Sequence, residues 1–173
     1  MRWSHVVSPA SGIRRVITTM LGSMDATRVG SAGAEGPETL LAPFGSREEV
    51  TDGVLAELRR FFSDVTPFDY RLTRVSRFPG GTVYVTPEPA APFRQLTLEL
   101  TRRFPEHPPY AGAFDDVVPH LSVPLLPDED VSDVEAELAG RLPVSVRAGE
   151  AALDWWEDGA CGTLETFPFG TSA

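Results

Sequence analysis

Apolar residues recur along the chain at two spacings, one typical of helices and the other typical of strands. Four segments have helical spacing and place their apolar residues on one stripe. They are residues 13–24, 50–61, 93–104 and 134–142. Two capping boxes, Ser46 with Glu49 and Ser132 with Glu135, predict where the second and fourth of these helices begin.

Shorter apolar runs bounded by turn residues predict strands. The clearest pair is a hairpin, in which residues 67–78 and 82–86 flank a Pro-Gly-Gly turn. The other predicted strands are residues 5–7, 39–44, the run around His120, and residues 143–146, 151–156 and 163–169. Helices and strands alternate, so the predicted fold class is α/β or α+β. At 173 residues, and without a linker that would split it, the chain is predicted to be one domain over residues 1–173.

One short run carries the residues with the clearest chemistry, Pro119-His120-Leu121-Ser122-Val123. Side chains alternate in a strand, so His120 and Ser122 share one face while the residues between and after them enter a core. An imidazole titrates near neutral pH, and a neighbouring hydroxyl can hold an anion. The alternative interpretation is a core histidine on an ordinary buried strand.

Composition narrows the range of partners and cofactors. The chain has 15 basic residues, all of them arginine, and 25 acidic residues, for a formal net charge of −10. This charge argues against binding to long nucleic acid, whereas a small anion held by a few arginines fits. A single cysteine, Cys161, precludes an intrachain disulfide, and no apolar run approaches the length of a membrane span, which together favour a cytoplasmic protein. The histidines and Cys161 lack metal-ligand spacing, so neither a metal nor another cofactor is predicted.

Several ordered segments resemble the 2H phosphoesterase superfamily, and more narrowly its bacterial 2′-5′ RNA ligase-like and cyclic phosphodiesterase-like proteins. PHLSV at residues 119–123, preceded by FPEHPPYAGAFDDVV, is similar to the second His-x-Ser/Thr motif of that superfamily. TLLAPF at residues 39–44 and PFDYRLTRVSRFPGGTVYVTPEPAAPF are similar to further family segments. The resemblance extends from about Thr39 to the C-terminus, while residues 1–36 diverge most and could reflect an altered start. It implies a bilobal fold, with two sheet-and-helix lobes facing one cleft and one motif from each lobe.

The resemblance also implies a metal-independent reaction on a small cyclic phosphate or a short 2′-5′ or RNA-end phosphodiester. In that reaction one histidine deprotonates the attacking water or hydroxyl, and the other protonates the leaving oxygen. It assigns His120 as a general acid/base, with Ser122 and Thr39 holding phosphate oxygens. The first motif departs from the family pattern, because Pro37 occupies the histidine position.

Three residues are candidate replacements for the missing histidine: Glu38, Glu35 and His5. Strand alternation directs Glu38 away from Thr39 unless a bulge redirects it. Two further functions stay open beside the phosphoesterase. One is a recruited biosynthetic enzyme that uses a single histidine on a non-nucleotide metabolite, and the other is a catalytically silent ligand-binding module.

Aromatic and basic residues near the motifs are candidates for substrate binding. Tyr84, Tyr110 and Phe114 are placed to stack on a base or another flat ligand. Arg77, the last of a series with Arg71 and Arg74 along one predicted strand, is the candidate phosphate ligand among the arginines. Ordinary packing for the aromatic rings and a solvated strand face for the arginines are the alternatives.

Overall fold

Two antiparallel sheets and the helices that pack on them make up the part of the chain that the computed structural model describes, residues 14–19, 38–46, 48–112, 117–123, 130–157 and 160–170. Sheet A has the strand order β2-β1-β7-β8 and sheet B the order β5-β4-β3-β6. The strands are β1 (Arg14–Thr19), β2 (Glu38–Leu41), β3 (Phe68–Arg77), β4 (Val83–Glu88), β5 (Leu121–Val123), β6 (Val144–Ala148), β7 (Glu150–Glu157) and β8 (Ala160–Pro168). The α-helices are α1 (Asp52–Ser63), α2 (Ala91–Arg103) and α3 (Val131–Arg141). This arrangement confirms the predicted mixed α/β class.

The first predicted helix is wrong within the described residues. Residues 14–19 form β1, which pairs with β2 on one side and with β7 on the other. The segment contains the β-branched run Val16-Ile17-Thr18-Thr19, whose side chains favour a pleated strand over a helix. Pairing with two neighbouring strands, six residues with β7 and three with β2, therefore overrides an apolar spacing that also fits a helix. The rest of that predicted helix, and the predicted strand at residues 5–7, lie outside the described residues.

The other three predicted helices are confirmed, but both capping boxes are wrong about where the helices begin. Thr51 caps α1, its hydroxyl accepting a hydrogen bond from the Val54 N–H at 3.4 Å, so Ser46 lies before the helix. Asp130 caps α3 through a hydrogen bond from the Ser132 N–H at 2.8 Å, which places Ser132 inside the helix. The predicted hairpin is confirmed as β3 and β4.

Helix α2 connects the two sheets. The ring of Phe93 meets the ring of Tyr70 in sheet B edge to face, with centroids 4.9 Å apart. From the same helix, the Thr97 hydroxyl donates a buried hydrogen bond of 2.9 Å to the carbonyl oxygen of Leu40 in sheet A. α1 packs against β8 in sheet A, and α3 against β3 in sheet B. No helix in the described ranges has the length and apolar character needed to cross a bilayer.

Candidate functional site

The second motif lies along the edge of sheet B. In the register of that sheet Ser122 stands opposite Tyr84, which stands opposite Ser76, so these three residues form one row. Leu121 and Val123 point to the other face, where they are 1% and 3% exposed, while Ser122 is exposed. The predicted alternation is therefore confirmed. We call the face that carries Ser122 and Tyr84 the open face.

The geometry at His120 defines which ring nitrogen carries the proton. His120 immediately precedes β5, and its Nδ1 lies 2.6 Å from the carbonyl oxygen of Val118. A carbonyl oxygen only accepts hydrogen bonds, so Nδ1 carries the proton and the lone pair of the neutral ring is on Nε2. Burial lowers the pKa of His120 below its usual range, although the hydrogen bond to Val118 partly opposes this effect. The imidazole is therefore neutral at neutral pH, with Nε2 able to accept a proton.

Two aromatic rings hold the imidazole. Phe78 stacks on Tyr84, with centroids 4.1 Å apart and an angle of 24° between the ring planes. Both rings also meet His120 edge to face, at centroid distances of 4.9 Å for Phe78 and 5.5 Å for Tyr84. Phe78 was not among the residues selected from the sequence. The signal lies in the hairpin register: the Phe78 N–H bonds to the Thr82 carbonyl at 3.0 Å, which places Phe78 beside the turn that leads into β4.

A β-bulge in sheet A determines where Thr39 of the first motif points. Ile17 pairs with Leu41 and Thr18 with Thr39, so Leu40 is the extra residue of the bulge. Thr18 in turn pairs with Ala152 of β7, which places Thr39 on the face of sheet A that is turned away from α1. Residues of β2 and β5 approach each other to within 8 Å between Cα atoms. The fold thus brings the strands of the two motifs close together.

The loop after α2 attaches to the end of the first motif. The backbone N–H of Tyr110 donates to the carbonyl oxygen of Ala42 at 2.6 Å. Tyr110 and Ala111 have φ values of 52° and 54°, and Gly112 has 77°. Non-glycine residues in this conformation carry strain of about 1–3 kcal/mol each, which persists only where the surrounding structure holds them. The structure therefore places Tyr110 at the end of β2; Phe114 lies outside the described residues.

Arg77 lies apart from the other candidate residues. It stands opposite the buried Val83 of β4, on the face turned away from Tyr84 and Ser122. There its guanidinium forms a two-pronged ion pair with Glu135 of α3, with both N–O distances at 3.0 Å. The open face does not include this guanidinium.

Arg71 and Arg74 occupy the open face instead. A bulge at Thr73 shifts the register of β3, so that Arg74 stands opposite Thr86 and Arg71 opposite Glu88. Thr86 and Glu88 are in phase with Tyr84 along β4, and both arginines are exposed. The arginines of the open face are therefore Arg71 and Arg74. Their spacing along the sequence alone could not distinguish them from Arg77.

Of the candidate replacements for the first-motif histidine, only the backbone position of Glu38 lies within the described residues, and it is out of phase with Thr39. Glu38 pairs with Thr19, one residue out of phase with Thr39. Pro37, Glu35 and His5 lie outside the described residues. Within the ranges that the structure covers, no group of three or more His, Cys, Asp or Glu side chains is arranged to hold a metal ion.

Known proteins match most of this chain. A family model described as the 2′-5′ RNA ligase superfamily matches residues 39–160. A Bacillus licheniformis protein named as a phosphoesterase is 27% identical over 146 residues, covering 76% of this chain and 79% of the relative. The crystal structure of the Thermus thermophilus protein TT0787 aligns with a TM-score of 0.64 at 19% identity, over 92% of this chain and 100% of that chain. E. coli LigT in its apo form aligns with a TM-score of 0.63 at 16% identity, over 93% and 99%. LigT complexed with 3′-AMP aligns with a TM-score of 0.55 at 15% identity, over 90% and 97%.

Proposed function

The chain belongs to the 2′-5′ RNA ligase superfamily of 2H phosphoesterases, and we propose that it performs metal-independent phosphoester hydrolysis on a small cyclic phosphate or a short 2′-5′ or RNA-end phosphodiester. The observation that carries the proposal is a histidine whose Nδ1 donates to a backbone carbonyl and whose neighbour on the open face is an exposed hydroxyl, His120 with Ser122. The LigT complex with 3′-AMP supports a nucleotide-sized ligand.

His120 acts as the general base in this proposal. Its Nε2 removes a proton from a water molecule, whose oxygen forms a bond to phosphorus while the bond to the leaving oxygen breaks. The Val118 carbonyl keeps the proton on Nδ1, which holds the ring in the tautomer that a base requires. Phe78 and Tyr84 fix the plane of the ring, so that little rotational freedom is lost when the substrate binds.

Hydroxyls and one arginine complete the phosphate site. Ser122 and Thr39, from neighbouring strands of the two sheets, donate hydrogen bonds to the non-bridging oxygens. Arg74 offsets the charge that develops on these oxygens, and its exposed guanidinium suits a phosphate. Tyr110, attached at the end of β2, and Tyr84 provide the flat surfaces for a base.

Pro37 makes this a phosphoesterase that works with a single histidine. In-line displacement places the attacking and leaving oxygens on opposite sides of phosphorus, so one imidazole cannot serve both. General acid or base assistance is worth a factor of about 10² to 10⁴. We therefore expect slow turnover, with the leaving oxygen protonated by solvent.

The test is hydrolysis of 2′,3′-cyclic nucleotides and short 2′-5′ dinucleotides by the wild type, His120→Ala and Pro37→His. We expect slow wild-type turnover that His120→Ala lowers by a further factor of about 10² or more, and that Pro37→His raises. Unchanged turnover in His120→Ala, with the protein folded, would contradict the role of His120. Absence of turnover by all three folded proteins would favour the recruited enzyme, which acts on a non-nucleotide metabolite.

A second candidate is a ligand-binding module that has lost turnover, and Pro37 is the observation that favours it. Such a module would bind a nucleotide monophosphate without hydrolysing any phosphodiester in the panel. Its affinity would survive His120→Ala, because a base contributes to the reaction more than to binding. Turnover that appears only in Pro37→His would identify this case.

A further inference from the structure

Arg71 and Arg74 differ from most arginines of this acid-rich chain. The chain has ten more acidic than basic residues, so carboxylate partners are plentiful. Most arginines in the described ranges form an ion pair with one of them. These arginines are Arg59, Arg60, Arg77, Arg102, Arg103, Arg141 and Arg147. Arg71 and Arg74 form no ion pair with any described residue, although both are exposed and belong to one strand of the open face.

The sheet register gives the spacing of these two arginines relative to the phosphate site. Arg74 is in the row of Thr86, and continuing the β4–β5 register by one residue brings His120 to the same row. β3 and β5 are separated by two strand spacings of about 4.8 Å each. An extended Arg74 side chain covers most of this distance. Arg71 is in the row of Glu88, two residues further along β4 and therefore about 7 Å beyond Arg74.

This spacing suits two phosphates that are separated by a ribose, as are the 3′- and 5′-phosphates of one nucleoside. From it we propose that Arg71 forms a second anion subsite on the open face, which binds an additional phosphate of the substrate about 7 Å along the strand direction from the phosphate that Arg74 contacts. The preferred substrate then carries at least two phosphate groups, as in a nucleoside bisphosphate or a short phosphorylated oligonucleotide. The inference rests on the proposed function and specifies its substrate class.

The other charges near Arg71 are compatible with such a subsite. Asp69, the nearest acidic residue along the same strand, is already paired with Arg147 at 2.9 Å. Glu88 stands opposite Arg71 across the strands but forms no ion pair with it. This carboxylate limits how strongly the subsite binds and disfavours a long polyanion, as the acidic composition predicts.

Calorimetric titration with adenosine 3′-monophosphate and adenosine 3′,5′-bisphosphate tests the inference. We expect the bisphosphate to bind wild type about tenfold more tightly, the gain expected of one charge-assisted hydrogen bond. Arg71→Gln removes this gain and leaves the affinity for the monophosphate unchanged. Glu88→Gln increases the gain, because it removes a negative charge beside the second phosphate. Arg102→Gln, an equal change of charge at an exposed position on α2, is the control and leaves both affinities as in wild type.

Failure of this inference can be distinguished from failure of the proposed function. Equal affinities for the two ligands, or a gain that persists in Arg71→Gln, would overturn the second subsite while monophosphate binding and hydrolysis still support the phosphoesterase. If Arg102→Gln loses the extra affinity for the bisphosphate to the same extent as Arg71→Gln, that affinity arises from overall charge, and this result would also overturn the subsite. Absence of monophosphate binding and of hydrolysis would instead overturn the proposed function, and the subsite with it.

Discussion

The buried hydrogen bond between Thr97 and Leu40 is predicted to hold the first-motif strand in place. Leu40 is the extra residue of the β2 bulge and is 2% exposed, so its carbonyl oxygen lies outside the paired register and away from water. The Thr97 hydroxyl, 5% exposed, donates to this oxygen at 2.9 Å. Thr97→Val keeps the shape of the side chain and removes the donor. A buried acceptor left without a partner costs about 1–3 kcal/mol, so we expect a loss of stability of that size.

The measurement is the free energy of unfolding from urea titration, supported by thermal melting. For a chain of this length, 1–3 kcal/mol corresponds to a fall in Tm of about 2–12 °C. Thr101→Val is the matched control. The Thr101 hydroxyl donates to the Thr97 carbonyl at 2.8 Å, an oxygen that also accepts within α2, so its loss orphans no buried acceptor. We expect the control to stay within about 0.5 kcal/mol of wild type.

Equal stabilities of Thr97→Val and Thr101→Val would refute this reasoning. That result would mean that the Leu40 carbonyl has another partner and that the bulge does not depend on α2. We also expect Thr97→Val to weaken nucleotide binding at temperatures where the variant is still folded, because Thr39 directly precedes the bulge. Thr101→Val retains wild-type binding.

Three further predictions concern the motif strand, a close contact and the pH dependence. Leu121→Ala should lower the free energy of unfolding by about 2–5 kcal/mol, because it removes a buried side chain. Ser122→Ala, at the exposed neighbouring position, should change this free energy by less than about 0.5 kcal/mol but should reduce turnover. Equal losses of stability in urea titration would contradict the faces assigned to the two residues. Gly170→Ala places a Cβ 2.1 Å from a backbone carbonyl oxygen at the end of α1 and should lower the free energy of unfolding by about 1–3 kcal/mol or more. Gly149→Ala, whose Cβ would meet no atom within 4 Å, is the control and should unfold as wild type does; equal melting curves for the two variants would argue against this packing. The folded pKa of His120 lies below its usual 6.5, so the unfolded chain binds more protons, and the stability of wild type relative to His120→Asn is full above pH 6.5 and falls as the pH drops towards the folded pKa. A stability difference that does not depend on pH would contradict the lowered pKa of this half-buried imidazole.

Local pattern was sufficient to predict the second motif. A period of two places Leu121 and Val123 in the core and Ser122 outside, whatever the rest of the fold does. The hairpin of β3 and β4 and the helices α1, α2 and α3 follow equally from short-range spacing and turn residues. These features depend on residues that are close together in the chain.

Register and packing decided what the sequence pattern left open. The apolar spacing of residues 14–19 fits both a helix and a strand, and pairing with β2 and β7 selected the strand. One bulge at Thr73 put Arg71 on the same face as Arg74, three residues away, and that face is the open one. Regular alternation from Arg74 directs Arg77 to the other face, where it pairs with Glu135. A one-residue shift of register moves a side chain to the other face, and no local spacing records where such a shift occurs.

The chemical state of His120 likewise required the tertiary structure. The sequence alone determined that an imidazole and a hydroxyl share a face on a proline-bounded strand. The proton position follows from a local contact with the carbonyl of Val118, two residues earlier in the chain. The lowered pKa instead comes from burial, and the orientation of the ring from its contacts with Phe78 and Tyr84. Desolvation and ring orientation arise from strands that are distant in sequence, so only the assembled fold determines them.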